Sequence, residues 1–73
     1  MNMKRQSDIA LADNWAIVNG VNVVRIGESK FVAVPTSPRK NSRKFDIIDI
    51  EAGEFICQVE KAEVWHQLHS RII

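Results

Sequence analysis

Apolar and polar residues alternate with a period of two from Trp15 to Val34, break off over the segment Pro35 to Lys44, resume at Phe45 and change to a helical period at Glu60. Alternation sends successive side chains to opposite faces of a strand, whereas spacings of three and four line one side of a helix. Trp15-Ala-Ile-Val18 is separated from Val21-Asn-Val-Val-Arg-Ile26 by Asn19-Gly20, a pair suited to the two left-handed positions of a type I′ hairpin. Pairing Val18 with Val21 sets Trp15, Ile17, Val24 and Ile26 on one face and Ala16, Val18, Val23 and Arg25 on the other. Gly27-Glu28-Ser29 supplies the next turn. Pairing Ile26 with Phe31 then extends the first face through Phe31 and Ala33, and this face is the predicted core.

A second hairpin is predicted where Phe45-Asp-Ile-Ile-Asp-Ile50 and Glu54-Phe-Ile-Cys-Gln-Val59 flank Ala52-Gly53, glycine taking the left-handed position. Read across that turn, Ile48, Ile50, Phe55, Cys57 and Val59 face the core, while Ile47, Asp49, Ile56 and Gln58 face away. The doublet Ile47-Ile48 breaks the alternation and marks a candidate bulge. From Lys61 to Ile72, Val64, Trp65, Leu68 and Ile72 fall at helical spacing, with Glu60 and Glu63 early and Arg71 late, as the helix dipole favours. The predicted fold is α+β: a small antiparallel β-meander of four to five strands with one C-terminal α-helix across it. Residues 1–14 show no clear period beyond a single turn around Ile9 to Ala12, capped by Ser7 or Asp8. They are assigned as a flexible basic arm, leaving residues 15–73 as the single domain.

Charge changes this picture. The net charge of +1 conceals a division. Residues 1–45 carry eight cations against three carboxylates, a net of +5, and residues 46–73 carry two against six, a net of −4. Four of the cations, Arg39, Lys40, Arg43 and Lys44, share the segment that also holds both prolines. Proline fixes φ and offers no backbone donor, so this segment is a loop held off the sheet, where binding residues are most often found. The loop cations, together with Lys4 and Arg5 of the arm, are the predicted contacts for nucleic acid or an acidic partner. The reverse face of the sheet, with Val23, Val32 and Val34 beside Arg25 and Lys30, is the predicted protein-docking surface.

Other chemistry finds less support. His66 and His69 have a His-x-x-His spacing with Glu63 a turn earlier, but no second ligand set accompanies them, so no metal site is assigned. The serines lie in no nucleophile elbow and the three glycines form no phosphate loop, so no catalytic residue and no cofactor is assigned. Cys57, the single cysteine, reads as a small core residue without a cationic neighbour in sequence and fits a reducing compartment. No apolar run reaches the length of a membrane span, and Asp8 and Asp13 interrupt the apolar core a secretory signal needs, so the expected location is cytoplasmic. With 73 residues, the chain buries only ~60% of its unfolded surface and gains from a partner. The strand aromatics all have core explanations, which argues against a stacking platform for single strands.

Three resemblances bear on function. Ile26-Gly27 with Lys30-Phe-Val-Ala-Val34, and Ile56-Cys-Gln-Val59 leading into Glu63-Val-Trp-His-Gln-Leu68 with Ile72, resemble the PC4-like transcription coactivators, which implies a meander plus helix that binds single-stranded DNA as a dimer. Phe31-Val-Ala-Val-Pro35, a basic loop and Phe45-Asp-Ile47 resemble the bacterial septation regulators of the SpoVG type. In size and layout the chain is similar to the small transcription regulators of lytic Xanthomonas phages. That resemblance implies binding to the β and β′ subunits of host RNA polymerase, interference with the σ factor and suppression of termination. The leading expectation is therefore a non-enzymatic, phage-type transcription regulator on bacterial RNA polymerase, with possible contact to RNA or single-stranded DNA and none to membrane. A PC4-like single-strand-binding dimer is the alternative.

Overall fold

The computed structural model describes residues 11–37 and 42–72. Five strands form one antiparallel sheet in chain order: β1 (Trp15–Val18), β2 (Val21–Arg25), β3 (Phe31–Pro35), β4 (Lys44–Asp49) and β5 (Glu54–Glu60). A 3₁₀ turn, Lys61–Glu63, leads into the helix α1 (Val64–Ser70). The architecture is a small α+β fold, a meander with one C-terminal helix.

The first hairpin has the predicted register, with Val18 opposite Val21 and Trp15 opposite Val24. Asn19 (φ 52°) and Gly20 (φ 81°) both take the left-handed conformation that a type I′ turn requires. Val24 opposite Ala33 and Arg25 opposite Val32 continue the register that pairing Ile26 with Phe31 implies. Val24, Ala33, Phe45, Ile47, Val64 and Leu68 are buried together, with Trp15, Ile26, Phe31, Cys57 and Val59 packed around them. The Trp15 and Phe45 rings lie 6.0 Å apart although their strands are separated by two others, so the sheet curls with this face inward. Across that concave face α1 lays Val64 and Leu68, a spacing of four that puts both on one side of the helix.

Several expectations are corrected. In β4 Phe45 and Ile47 belong to the core and Asp49 is buried on the same face, whereas Ile48 is half-buried on the opposite face. The parity read across the Ala52-Gly53 turn fails because β5 has one residue more than β4 between the pairs Ile47↔Cys57 and Ile48↔Phe55. That bulge, at Ile56, leaves Cys57 and Val59 facing the core but turns Phe55 outward, where it is 61% exposed. Ile17 shares the face of Trp15 but is 73% exposed, because its partner on the neighbouring strand is Asn22 beside the hairpin tip, away from the helix. Ile72 lies beyond the last helical turn and is also exposed. The helix itself is shorter than its periodic pattern, since residues 61–63 wind more tightly.

The arm boundary also moves. Residues 11–13 are helical, Leu11 is 3% exposed within the core, and the Asn14 carbonyl accepts the Arg25 N–H at 2.9 Å. The folded unit thus includes Leu11, which closes the core beside Trp15. Lys4, Arg5 and the capping residues Ser7 and Asp8 lie outside the described residues.

Candidate functional site

The meander puts its connections at two ends. At one end lie the Gly27 turn and the Gly53 turn, tied by a hydrogen bond from the Ile50 N–H to the Lys30 carbonyl at 2.8 Å. At the other lie the Asn19-Gly20 turn, the basic loop and the start of the 3₁₀ turn, whose Lys61 N–H donates to the Arg43 carbonyl at 2.8 Å. The cations at the two ends are used differently.

At the turn end they serve the fold. Arg25 Nε donates to the Ser29 carbonyl at 2.8 Å and its Nη2 to the Glu28 carbonyl at 3.2 Å, so the guanidinium closes the turn between β2 and β3. Lys30 Nζ lies 3.7 Å from Asp49 Oδ2 and 5.2 Å from the centre of the Phe31 ring. Arg71 approaches the same ring at 5.9 Å and donates from Nη2 to Cys57 Sγ at 3.5 Å. Phe31 therefore has two cations against it, each attracted by its ring quadrupole. Cys57, read as lacking a cationic neighbour, has one supplied by the helix end. Asp49 Oδ1 accepts the Glu51 and Ala52 N–H groups at 3.0 Å each. Its pKa is held below the usual 3.8, first by the Ala52 hydrogen bond and then by that of Glu51 and the charge of Lys30, against an opposing desolvation.

At the loop end the described cations of the basic segment form no ion pair. Arg43 and Lys44 are exposed, and among the described residues no carboxylate lies within ion-pair distance of either. Their backbone is held firmly. The Lys44 carbonyl accepts three hydrogen bonds, from the Thr36 N–H at 3.0 Å, Thr36 Oγ1 at 3.1 Å and the buried Ser42 Oγ at 2.8 Å. The two hydroxyls are themselves 3.1 Å apart. Thr36 and Ser42, one on each side of the loop, thus clamp its root, so the basic segment leaves the sheet from a fixed base. Arg39 and Lys40 belong to the same loop but lie outside the described residues.

The predicted docking face is not an open surface. Val23 is 2% and Val32 1% exposed, and Val34 is half-buried. Val32 lies between Arg25 and Ile48 across the two ladders, flanked on both sides by a longer side chain. Of the predicted contacts there, Lys30 is exposed and Arg25 half-buried, and both are engaged in holding the turn end. Exposed large apolar side chains among the described residues lie at Ile17, Val21 and Ile72 and, as neighbours in sequence, at Phe55 and Ile56 on the edge strand β5, which also carries Glu54, Gln58 and Glu60. His66 and His69 are exposed on α1, and among the described residues no group of three His, Cys, Asp or Glu side chains is arranged to hold a metal.

Sequence reasoning missed the hydroxyl clamp, although a Thr and a Ser placed just inside the two ends of a loop is a signal it could have used. It also missed a cleft of about 350 Å³ beside the clamp, lined by Gly20, Val21, Asn22, Val34, Pro35, Thr36 and Ser37. No helix among the described residues is long and apolar enough to cross a membrane. Comparison of the chain with protein-family models, curated proteins and solved structures finds no match.

Proposed function

We propose that the chain is a non-enzymatic transcription regulator of the phage type that acts in the host cytoplasm by binding bacterial RNA polymerase close to nucleic acid. The observation that carries this reading is the difference between the two ends: cations at the turn end are tied into the fold, whereas Arg43 and Lys44 stand exposed on a clamped root and, among the described residues, form no ion pair, Lys44 not even with Glu60 opposite it in the ladder. Fixed cations without a carboxylate partner lose little on meeting an anionic one, because neither a salt bridge nor much backbone order is sacrificed. Arg39 and Lys40 add to the same segment, and Lys4 and Arg5 supply further charge. The apolar, acidic strip at Phe55 and Ile56 takes the protein contact first assigned to Val23, Val32 and Val34. The resemblances to transcription proteins direct the choice of partner, with the β and β′ subunits, σ interference and suppression of termination as the detailed form.

Incubating the full chain with RNA polymerase core enzyme at low salt and separating by size tests this reading. Comigration is expected, weakened by Arg43→Ala with Lys44→Ala and separately by Phe55→Ala. Absence of comigration at low salt would sink it.

A further inference from the structure

The cleft beside the loop root has a backbone origin. The ladder between β2 and β3 comprises only Val24↔Ala33 and Arg25↔Val32, although each strand has five residues. The next hydrogen-bonded position along this register places Pro35 opposite Asn22. An ordinary residue there would give its N–H to the Asn22 carbonyl; proline has no N–H to give. Pairing stops at that point, and the strands part around Gly20, Val21 and Asn22 on one lip and Val34 to Ser37 on the other.

What this opening offers can be read from the register. Arg25 gives its N–H to Asn14 on the β1 side, so the backbone groups of Asn22, three residues earlier, point the other way, into the notch. The Asn22 side-chain amide is exposed and has no hydrogen-bond partner among the described residues. Val21, Val34 and Pro35 give the notch apolar walls. Thr36 bonds to Lys44 across the ladder, so the Lys44 side chain emerges on the same face as Val21, Val34 and Thr36, whereas Asn22 and Pro35 alternate with these and project to the other face. Along the strands the notch ends where the ladder resumes at the pair Val24↔Ala33, so it is not a channel through which a strand could run.

We propose that this notch receives one unpaired base of a single-stranded nucleic acid. The base enters the gap between the strands from the Lys44 face, passing between Val21 and Pro35, so that its far edge meets the Asn22 amide on the other face and the adjoining phosphates stay on the entry side with Lys44 and Arg43. A volume of about 350 Å³ falls in the range of small-ligand sites, about 300–1,000 Å³. An amide carries a donor and an acceptor side by side, the pairing that the N6 and N7 edge of adenine requires. Cations beside the mouth of an uncharged slot suit a ligand with an uncharged flat part and an anionic part, which a nucleotide has and an acidic peptide strand lacks. The proposal deepens the reading above and rests on its placement of nucleic acid at the loop end.

The test uses the full chain and two single-stranded probes of roughly eight adenosines, one RNA and one DNA. Amide NMR should show the Asn22 side-chain signals and the backbone signals of Val21 and Ser37 moving on titration of at least one probe. Asn22→Ala, at an exposed position, should keep the wild-type spectrum elsewhere and weaken binding about tenfold with an unchanged salt slope. Lys44→Ala should lower both affinity and slope. Binding with Asn22→Ala equal to wild type overturns the notch as the site and leaves the loop-end reading standing. Failure of both probes to bind at low salt overturns the notch as well, while comigration with polymerase, measured separately, decides the wider reading. Tighter binding of RNA than of DNA supports the proposal and adds the 2′-hydroxyl to what is recognised.

Discussion

Asp49 shows how one side chain can hold two turns. Its Oδ1 accepts two backbone N–H groups of the turn that follows it, and its Oδ2 faces Lys30 at the foot of the neighbouring turn. These interactions need the ionised carboxylate, so its folded pKa lies below the unfolded value of 3.8. A depressed carboxylate pKa contributes stability that is complete above the unfolded value and disappears as pH falls through the folded one. The urea midpoint of the wild type should therefore exceed that of Asp49→Ala by a constant margin above about pH 5, and the margin should narrow below about pH 4. Asp49→Asn retains an oxygen acceptor for the two N–H groups but no charge for Lys30, and should fall between them at neutral pH. A margin that does not change with pH would show that the carboxylate acts only as a packing group. Phe45 and Phe55 make a second contrast, since one is fully buried and the other 61% exposed. Phe45→Ala removes a ring packed on Trp15 and should cost about 3–5 kcal/mol. A chain of this length has about 4–11 kcal/mol in total, so the variant should melt well below wild type or fail to fold. Phe55→Ala should change stability by less than about 0.5 kcal/mol in the same denaturation assay.

Pro35 acts at the scale of elements. It ends the β2–β3 ladder and opens the notch, yet stays in β3 through its pairing with Phe45 on the other side. Restoring a donor with Pro35→Val should let Asn22 and residue 35 pair. The new amide at position 35 should then exchange with solvent slowly, and the Asn22 backbone signals should shift; a fast-exchanging amide would show that something other than the missing N–H holds the strands apart. How far such features can be read from sequence depends on whether the signal is local. Asn19-Gly20 fixes a turn and, through it, a register that continues correctly to Ala33, because each residue constrains the next. The β4 face was misread because of one extra residue at Ile56: alternation carries no memory across a bulge, and Ile47-Ile48 announced a break without saying on which strand it falls. Pro35 was legible as a loop signal but not as the cause of a cleft, since its effect depends on which residue lies opposite. Leu11 was unreadable as core for the same reason, having no periodic neighbours to declare a face.

The charge of the whole molecule is a poor guide to its behaviour, because a net of +1 averages cations of two kinds. Arg25 and Lys30 satisfy carbonyls, a carboxylate and an aromatic ring, whereas Arg43 and Lys44 face solvent with no carboxylate of the described residues within ion-pair distance. Two double variants separate charge from availability. Arg25→Ala with Lys30→Ala and Arg43→Ala with Lys44→Ala each take the net charge from +1 to −1, so any property set by total charge changes equally. On an immobilised polyanion such as heparin, the Arg43/Lys44 variant should elute at clearly lower salt than wild type, and the Arg25/Lys30 variant close to it. Denaturation should give the reverse order, because the turn-end cations stabilise the fold and the loop-end pair does not. With a single-stranded probe, deleting one cation that neutralises a phosphate should reduce the slope of log K against log salt by about 0.7. Removing the loop-end pair should thus lower the slope by about 1.4, and removing the turn-end pair should leave it unchanged in a folded chain. Equal elution and equal slopes for the two variants would mean that the protein meets anions as a diffuse charge and that the clamped root of the loop has no part in recognition.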